Sequence, residues 1–285
     1  MSDEARSELG GAAARRRGNT FTSTLSVNGF ALCDQLCLQP LSQVMGSSIY
    51  QMGYQGAWGQ PMSGGSLGGA TFMVELDTLS EALNEVRSRA LGRLAEEALA
   101  VGGDAVVGVT TRAGELALET GSVSLEHTVL GTAVRREGPR AQHPVLTELS
   151  VADFAKLVQA GFEPLGIVAW SSVFFAGFAF GQGLGGGMMG ANLKQTYELR
   201  DFTQAFYAAR ERTMARLGEQ AASLNASGVV GVSISHAARA HSLPGGIGVG
   251  TRSGLMVTFN AIGTAIRQVA SPPLLAPRMT IDLTS

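Results

Sequence analysis

The sequence contains one pattern of helix end, glycine turn and valine strand twice. The stretch AEEALAVGGDAVVGVTTR occupies positions 95–112, and GEQAASLNASGVVGVS occupies positions 218–233. An internal repeat of this kind indicates that one supersecondary unit has been duplicated. The repeat therefore predicts two tandem domains of the same fold.

The match extends over most of both copies. Leu25-Ser26-Val27 recurs as Leu149-Ser150-Val151, and Gly131-Thr132-Ala133 near the end of the first copy recurs as Gly263-Thr264-Ala265. The 285 residues are enough for two compact cores. The predicted organisation is a flexible tail at 1–20, a first domain at 21–136, a linker at 137–147, a second domain at 148–268 and a Pro-rich tail at 269–285.

Each copy shows the same order of elements: a short helix, a strand, a long helix and two closing strands. In the first copy the long helix carries apolar residues every three or four positions, which places them on one stripe. The closing strands are predicted at 105–112 and 123–135, and at 228–235 and 255–267. This order predicts an α+β domain in which an antiparallel sheet wraps one long helix, with an extra short N-terminal helix. The stripe consists of Leu76, Leu79, Leu83, Val86, Ala90, Leu94, Ala98 and Val101.

A domain with about three long strands keeps two open sheet edges, and natural proteins usually pair or protect such edges. Only 15% of the residues are charged, so the surface is poor in the charges that discourage association. These two features predict that copies of the chain cover one another. Gly131-Thr132-Ala133 and Gly263-Thr264-Ala265 are expected at those contacts, because glycine lets two backbones approach closely.

The net charge of −2 provides no basic face for nucleic acid. Arg15-Arg16-Arg17 has no apolar stretch behind it, as an export signal would, so a cytoplasmic location is expected. The two cysteines are too few for a disulfide scaffold.

The run AVGGDAVVGVTT, followed by the last strand TVLGTAVRR, resembles the YbjQ-like family, also called the heavy-metal-binding domain family. The second copy repeats the pattern as SLNASGVVGVSI and NAIGTAIRQ. The resemblance implies a dodecin-like β-α-β-β fold in each copy and assembly into pentameric rings. The chain departs from the family pattern at Ser227, where the first copy keeps Asp104, and that Asp is expected to cap the turn.

Three residues are candidate metal ligands. Cys33 and Cys37 are predicted four residues apart on the first short helix, where two thiolates on one face suit a soft metal. The alternative is that they are small buried side chains, as their counterparts Leu157 and Gly161 suggest. His127 corresponds to Phe259 on a predicted strand, which favours a packed, hydrogen-bonded histidine over a metal site formed between subunits.

Three other features are weaker. His236 and His241 are predicted in a solvated loop where the second copy has its insertion. GQGLGG at 181–186 matches a dinucleotide-binding pattern, but the helix and acidic residue that such a site needs do not follow. The charge-free stretch from Pro164 to Leu193 has too many glycines for a membrane helix, so it is interpreted as a strand and a buried loop.

The sequence shows no set of residues able to carry catalysis. It predicts a cytoplasmic, non-enzymatic protein that assembles with itself into a ring-like particle with five-fold character and has no resident cofactor. Two alternatives stay open. One is metal or small-ligand binding between subunits, and the other is peripheral membrane binding through the loop at 174–189.

Overall fold

The computed structural model describes most of both copies. The described residues are 22–52, 72–117, 123–136, 141–177, 198–243 and 252–269. They form four helices, which are α1 (Val27–Gln35), α2 (Asp77–Ala100), α3 (Val151–Gln159) and α4 (Arg200–Ser223). The strands are β1 (Leu38–Met52), β2 (Phe72–Glu75), β3 (Ala105–Ala117), β4 (Val123–Arg136), β5 (Val145–Leu146), β6 (Phe162–Gly177), β7 (Gly228–Leu243) and β8 (Arg252–Gln268).

The strands form two four-stranded sheets, so the predicted α+β class is confirmed. The first sheet has the order β1-β4-β3-β5, and the second has the order β2-β6-β8-β7. Strands β1, β4 and β3 pair antiparallel, and so do β6, β8 and β7. Whether each half is dodecin-like stays a prediction.

The C-terminal part of the apolar stripe of α2 packs on the first sheet, as predicted, whereas Leu76 at its N-terminal end packs with Val173 and Phe175 of the second sheet. Ala90, Leu94 and Ala98 are fully buried against Val44 of β1 and Val129 of β4. Burying such a stripe on a sheet contributes most of what stabilises an amphipathic helix. The helix ends where the sequence indicates.

Helix termination uses the left-handed conformation in both copies. Gly102 follows the end of α2 with φ of 81°, and Asn225 follows the end of α4 with φ of 55°. Glycine and asparagine are the residues that adopt this conformation most readily at a helix C-terminus. The turn that leads into β3 or β7 is therefore encoded locally in each copy.

The second half repeats the first in register as well as in order. Leu38 pairs with Arg136 at one end of the first sheet, and Phe162 pairs with Gln268 at the corresponding place in the second. The register shift between Val107 and Thr110 recurs between Val230 and Ser233. Corresponding residues of the two halves can therefore be compared position by position.

The two sheets are joined by short strands. Strand β2, which lies in the first half of the sequence, pairs with β6 of the second sheet. Strand β5, which lies in the stretch predicted as a linker, pairs parallel with β3 of the first sheet. The expectation that both edges of each sheet are open is therefore wrong for β3 and β6, because the chain supplies partners for them itself. In the described part of the chain, β1 and β7 each have one neighbouring strand.

The histidines predicted in a loop lie on a strand. His236 pairs with Phe259, and His241 pairs with Gly254 in the β7–β8 ladder. The insertion in the second copy therefore lengthens both strands of the hairpin. Strands β7 and β8 have 16 and 17 residues, whereas β3 and β4 have 13 and 14.

Gly46 is the point of closest approach between β1 and α2. A Cβ atom at this position would overlap the carbonyl oxygen of Ala90 and lie 2.7 Å from the backbone nitrogen of Leu94. Both of these atoms belong to the helix backbone, which cannot rotate away as a side chain does. The helix therefore lies on the strand backbone itself.

Gly46→Ala is expected to lower the free energy of unfolding by roughly 1–3 kcal/mol, since the helix must shift to admit the methyl group. Gly92→Ala is the matched control, because Gly92 is exposed on the same helix and a Cβ there meets no atom within 4 Å. This control is expected to raise stability by roughly 0.5–1 kcal/mol through helix propensity. Urea denaturation of both variants checks the pair, and equal effects would show that the close approach at Gly46 is wrong.

Candidate functional site: the junction between the two halves

The N-terminal part of α2 lies along the outer edge of β6 and satisfies its backbone with side chains. Ser80 Oγ accepts a hydrogen bond from the Val173 amide at 2.9 Å. Asn84 Oδ1 accepts from the Ser171 amide at 2.9 Å, and Asn84 Nδ2 donates to the Ser171 carbonyl at 2.9 Å. A helix of the first half thus takes the place of a neighbouring strand.

Strand β2 continues this cover along β6. The Leu76 amide donates to the Val173 carbonyl at 2.8 Å, immediately after β2 has paired with residues 174–177. Glu75, at the end of β2, forms an ion pair with Arg212 of α4 at 3.1 Å. The segment from β2 into α2 therefore closes one edge of the second sheet.

The opposite side of the junction closes β3. The Thr147 amide donates to the Val106 carbonyl at 2.9 Å, and the Val109 amide donates to the Thr147 carbonyl at 3.0 Å. The hydroxyl oxygens of Thr147 and Thr264 lie 3.0 Å apart and are both buried. Each half thus supplies a segment that covers an edge of the other, and this exchange is what joins them.

Asp104 holds the start of the connecting segment. Its carboxylate accepts hydrogen bonds from the amides of Arg136 at 3.3 Å and Ala141 at 3.1 Å. In the second half, Ser227 Oγ accepts from the Gln268 amide, which corresponds to that of Arg136. Asp104 thus does not cap the turn as predicted. Its carboxylate links the end of β4 to the segment that leads to the second half.

A buried arginine lies at the centre of the junction. Arg87 of α2 is almost fully buried, and its guanidinium donates to Asn84 Oδ1 at 2.9 Å and to Ser171 Oγ of the second half. Burial lowers the pKa of Arg87 to about 10, and the negative charge of Glu148 acts in the opposite direction. The side chain lines two clefts, of about 870 Å³ and about 800 Å³.

Glu148 and His127 line the second of these clefts together with Arg87. Burial raises the pKa of Glu148 to about 7, and the attraction of Arg87 offsets part of this effect. Burial also lowers the pKa of His127 to about 4, and the charge of Arg87 lowers it further. Near neutral pH the histidine is therefore neutral and the carboxyl group titrates.

The structure places His127 where the sequence predicts, but without the expected hydrogen bond on one nitrogen. His127 pairs with Ser48 in the first sheet, as Phe259 pairs with Ser172 in the second. Its Nε2 atom, like Oε2 of Glu148, has no hydrogen-bond partner among the described residues. The imidazole thus occupies a site that is apolar in the other half.

Comparison with known proteins shows the family. The chain is 32% identical over 277 residues to the encapsulin nanocompartment protein Rv1762c of Mycobacterium tuberculosis, and the match covers 93% of each chain. Residues 68–137 match the YbjQ family model, whose description is "Putative heavy-metal-binding". The chain belongs to the YbjQ-like family. No solved structure matches it.

The family match covers β2, α2, β3 and β4, which is the half that contributes Arg87 and His127 to the junction. The second half lies outside the matched residues. The sequence repeat and the shared register favour a second family domain there, which stays a prediction.

The described residues do not fit a metal ion bound by one chain. Cys33 is buried, whereas Cys37 is exposed two residues beyond the end of α1, with φ of 52°. The prediction that both lie on one helical face is therefore wrong, because the helix ends at Gln35 and Cys37 takes the left-handed position that Gly161 occupies in the other half. His127 has a guanidinium beside it, and within the described ranges no group of three or more potential ligands assembles.

The remaining sequence candidates lie elsewhere. His236 contacts the rings of Phe206 and Phe259, with centroid distances of 5.4 Å and 6.5 Å. The GQGLGG stretch lies outside the described residues. Of the proposed membrane loop, residues 174–177 are buried in β6, and the rest lies outside the described part. None of the described helices is long and apolar enough to cross a membrane.

The repeated Gly-Thr-Ala stretches act within the sheets and not where the sequence placed them. A Cβ at Gly131 would lie 2.5 Å from Val106 Cγ1, and a Cβ at Gly263 would lie 2.8 Å from Val229 Cγ1. These glycines allow adjacent strands of one sheet to pack closely. The expectation that they lie at subunit contacts is wrong.

Sequence reasoning missed the residues that form the junction. Ser80, Asn84 and Glu148 have no recognisable motif, and they act only because the fold brings them to an edge strand or an arginine. One signal is available in retrospect. Asn84 and Arg87 lie one turn apart and directly follow the stripe residues Leu83 and Val86, which indicates a polar partner beside the stripe.

Glu148 and His127 are expected to affect stability in opposite directions as pH changes. The folded-state pKa of Glu148 is raised, so its contribution is lost as pH rises from about 4.5 to about 7. The folded-state pKa of His127 is lowered, so its contribution is lost as pH falls from about 6.5 to about 4. Between these limits the two effects offset each other in the unmodified protein.

Replacing one of these two groups is expected to reveal the pH dependence of stability that the other group contributes. Relative to the unmodified protein, His127→Phe should lose stability as pH rises from 4 to 6.5, and Glu148→Gln should gain stability as pH rises from 4.5 to 7. Urea denaturation across this range measures both differences. The same slope in both variants would contradict the assignment of these charge states.

Proposed function

We propose that this chain is a cytoplasmic, non-enzymatic assembly protein that forms a homo-oligomeric ring with five-fold character. Its mycobacterial relative is named as an encapsulin nanocompartment protein, and such a compartment is a protein assembly. Over nearly the whole chain this similarity supports a role in assembly.

The observation that carries the proposal is the apolar character of the two strands that have a single neighbour. Ile49 on β1 and Val232 and Ile234 on β7 are exposed large apolar side chains. An edge strand that presents apolar side chains and unpaired backbone groups is a surface that proteins normally cover. A second copy of the chain is a partner that can cover these strands.

The polar cluster of the junction also supports a structural role. Arg87 contacts Asn84 and Ser171, so its charge is used to hold the two halves together. A buried cation with polar partners of this kind specifies one arrangement of the elements that meet around it. The proposal therefore treats the junction as a structural element.

Light scattering on the purified protein tests the proposal. A single species with a mass that is a multiple of 29.6 kDa is expected at micromolar concentration, and a five-fold ring contains five chains. The mass is expected to stay constant on tenfold dilution, because edge pairing buries apolar side chains as well as backbone groups. A monomer of 29.6 kDa at this concentration would rule out the ring.

A further inference from the structure

We propose that chains join head to tail through a contact that repeats the internal junction, with the first half of one chain docking on the second half of the next. This inference rests on the proposed assembly function and specifies its interface. The occupant of each exposed face is therefore a second copy of this chain. The two halves occupy opposite sides of one junction, so each half shows what the other would bury in such a contact.

Inside the chain, the second half presents α3 and the outer edge of β6 to the first half. Val151 and Phe154 of α3 pack against Cys33, Leu38 and Val107 of the first half. The corresponding surface of the first half consists of α1 and the outer edge of β1, and we call it the leading face. Nothing in the described part of one chain packs on it as the first half packs on the second.

Residues on the leading face are exposed where their counterparts in the second half are buried, so this face lacks a packing partner. Val27 of α1 is 87% exposed, whereas its counterpart Val151 is 1% exposed. Ile49 of β1 is 63% exposed, whereas its counterpart Val173 is 0% exposed. The first half therefore has apolar residues at positions whose counterparts in the second half are buried in the internal junction.

The complementary surface of the second half consists of β7, the N-terminal part of α4 and the part of α3 around Leu157, the counterpart of Cys33, and we call it the trailing face. It corresponds to β3 and the N-terminal part of α2, which the chain itself covers. Val232 of β7 is 36% exposed, whereas its counterpart Val109 is 2% exposed. Tyr207 of α4, at the position of Asn84, is 66% exposed.

The polar groups that close β6 have counterparts on the trailing face. Thr203 stands where Ser80 stands, so its hydroxyl group is available to accept from the Ile49 amide of the next chain as Ser80 accepts from Val173. Tyr207 replaces Asn84 and also carries a hydroxyl group. The hydroxyl group of Ser80 is therefore retained at the proposed contact, whereas the amide of Asn84 is not, and the carbonyl of Ser47, the counterpart of Ser171, accepts from Arg93 of its own chain.

The N-terminal segment of the first half shares one local hydrogen bond with the segment that closes β3, although Thr24, and not Ser23, contacts the threonine of its own sheet. The Leu25 amide donates to Ser23 Oγ at 3.0 Å, as the Leu149 amide donates to Thr147 Oγ1 at 3.1 Å. Thr147 closes the edge of β3 by pairing with it. In the proposed contact, Ser23 and its neighbours add to the edge of β7 of the preceding chain in the same way.

A contact between two different faces has a geometric consequence. Such contacts close into a ring when the rotation per step divides a full turn. Because every chain contributes one internal junction and one contact of the same kind, the ring contains an even number of halves. A five-fold ring then consists of five chains and ten halves.

A pair of charge variants tests the leading face. Val27→Asp places a carboxylate on a residue that is exposed in the single chain and buried in the proposed contact. It is expected to raise the dissociation constant of the assembly by about tenfold or more while leaving the melting temperature of the separated chain unchanged. Val158→Asp is the control, since Val158 is exposed on α3 and its counterpart in the first half is already Asp34. Loss of assembly in the control alone, or in neither variant, would overturn the proposed contact.

Thiol crosslinking distinguishes the two faces. In a Cys37→Ser background, Ser47→Cys marks the leading face and Tyr207→Cys marks the trailing face, while the buried Cys33 is left in place. Their counterparts Ser171 and Asn84 are in direct hydrogen-bond contact. With a short bismaleimide, chains carrying the two substitutions separately are expected to crosslink when they are co-expressed, and neither variant is expected to crosslink alone.

The outcomes separate this inference from the proposed function. Crosslinking of Ser47→Cys alone or of Tyr207→Cys alone indicates that like faces meet, and it overturns the head-to-tail contact. An assembly that forms by light scattering but gives no crosslink in the mixture also overturns the contact while leaving the assembly function intact. A chain that stays monomeric overturns both.

Discussion

The backbone of an edge strand must find hydrogen-bond partners, and this requirement organises the whole molecule. At β6 the partners are side chains, because Ser80 and Asn84 of a helix bind the amides of Val173 and Ser171. At β3 the partner is the short strand β5, which adds one parallel ladder. Each half thus supplies a partner for one edge strand of the other, while β1 and β7 keep a single neighbouring strand in the described part of the chain.

Much of the fold is encoded locally and is therefore visible in the sequence. The stripe of α2 and the left-handed residues Gly102 and Asn225 depend on spacing and backbone preference, which operate over a few residues. The alignment of His127 with Phe259 was correct for the same reason, since strand register follows from the repeat. What the sequence could not show is where β2 and β5 pair, because both cross from one half to the other.

The errors have definite physical causes. His236 and His241 were expected in a loop, but an insertion in a hairpin can extend both strands, and the paired backbone is then satisfied without any strong apolar pattern. Cys37 was expected on a helix, but the helix ends two residues earlier. Of the candidate site, the sequence predicts only His127, because the role of Arg87 depends on Glu148 and Ser171, which are distant in sequence.

The central claim is that the contact between chains is the internal junction used again. The most direct measurement is a class-averaged electron micrograph of the assembled particle, in which each half of a chain forms one lobe. The account predicts a closed ring with an even number of lobes, ten for five chains, with the same rotation between all neighbours. A ring in which the rotation between neighbouring lobes alternates between two values, or a two-fold dimer in which like halves meet, would contradict it.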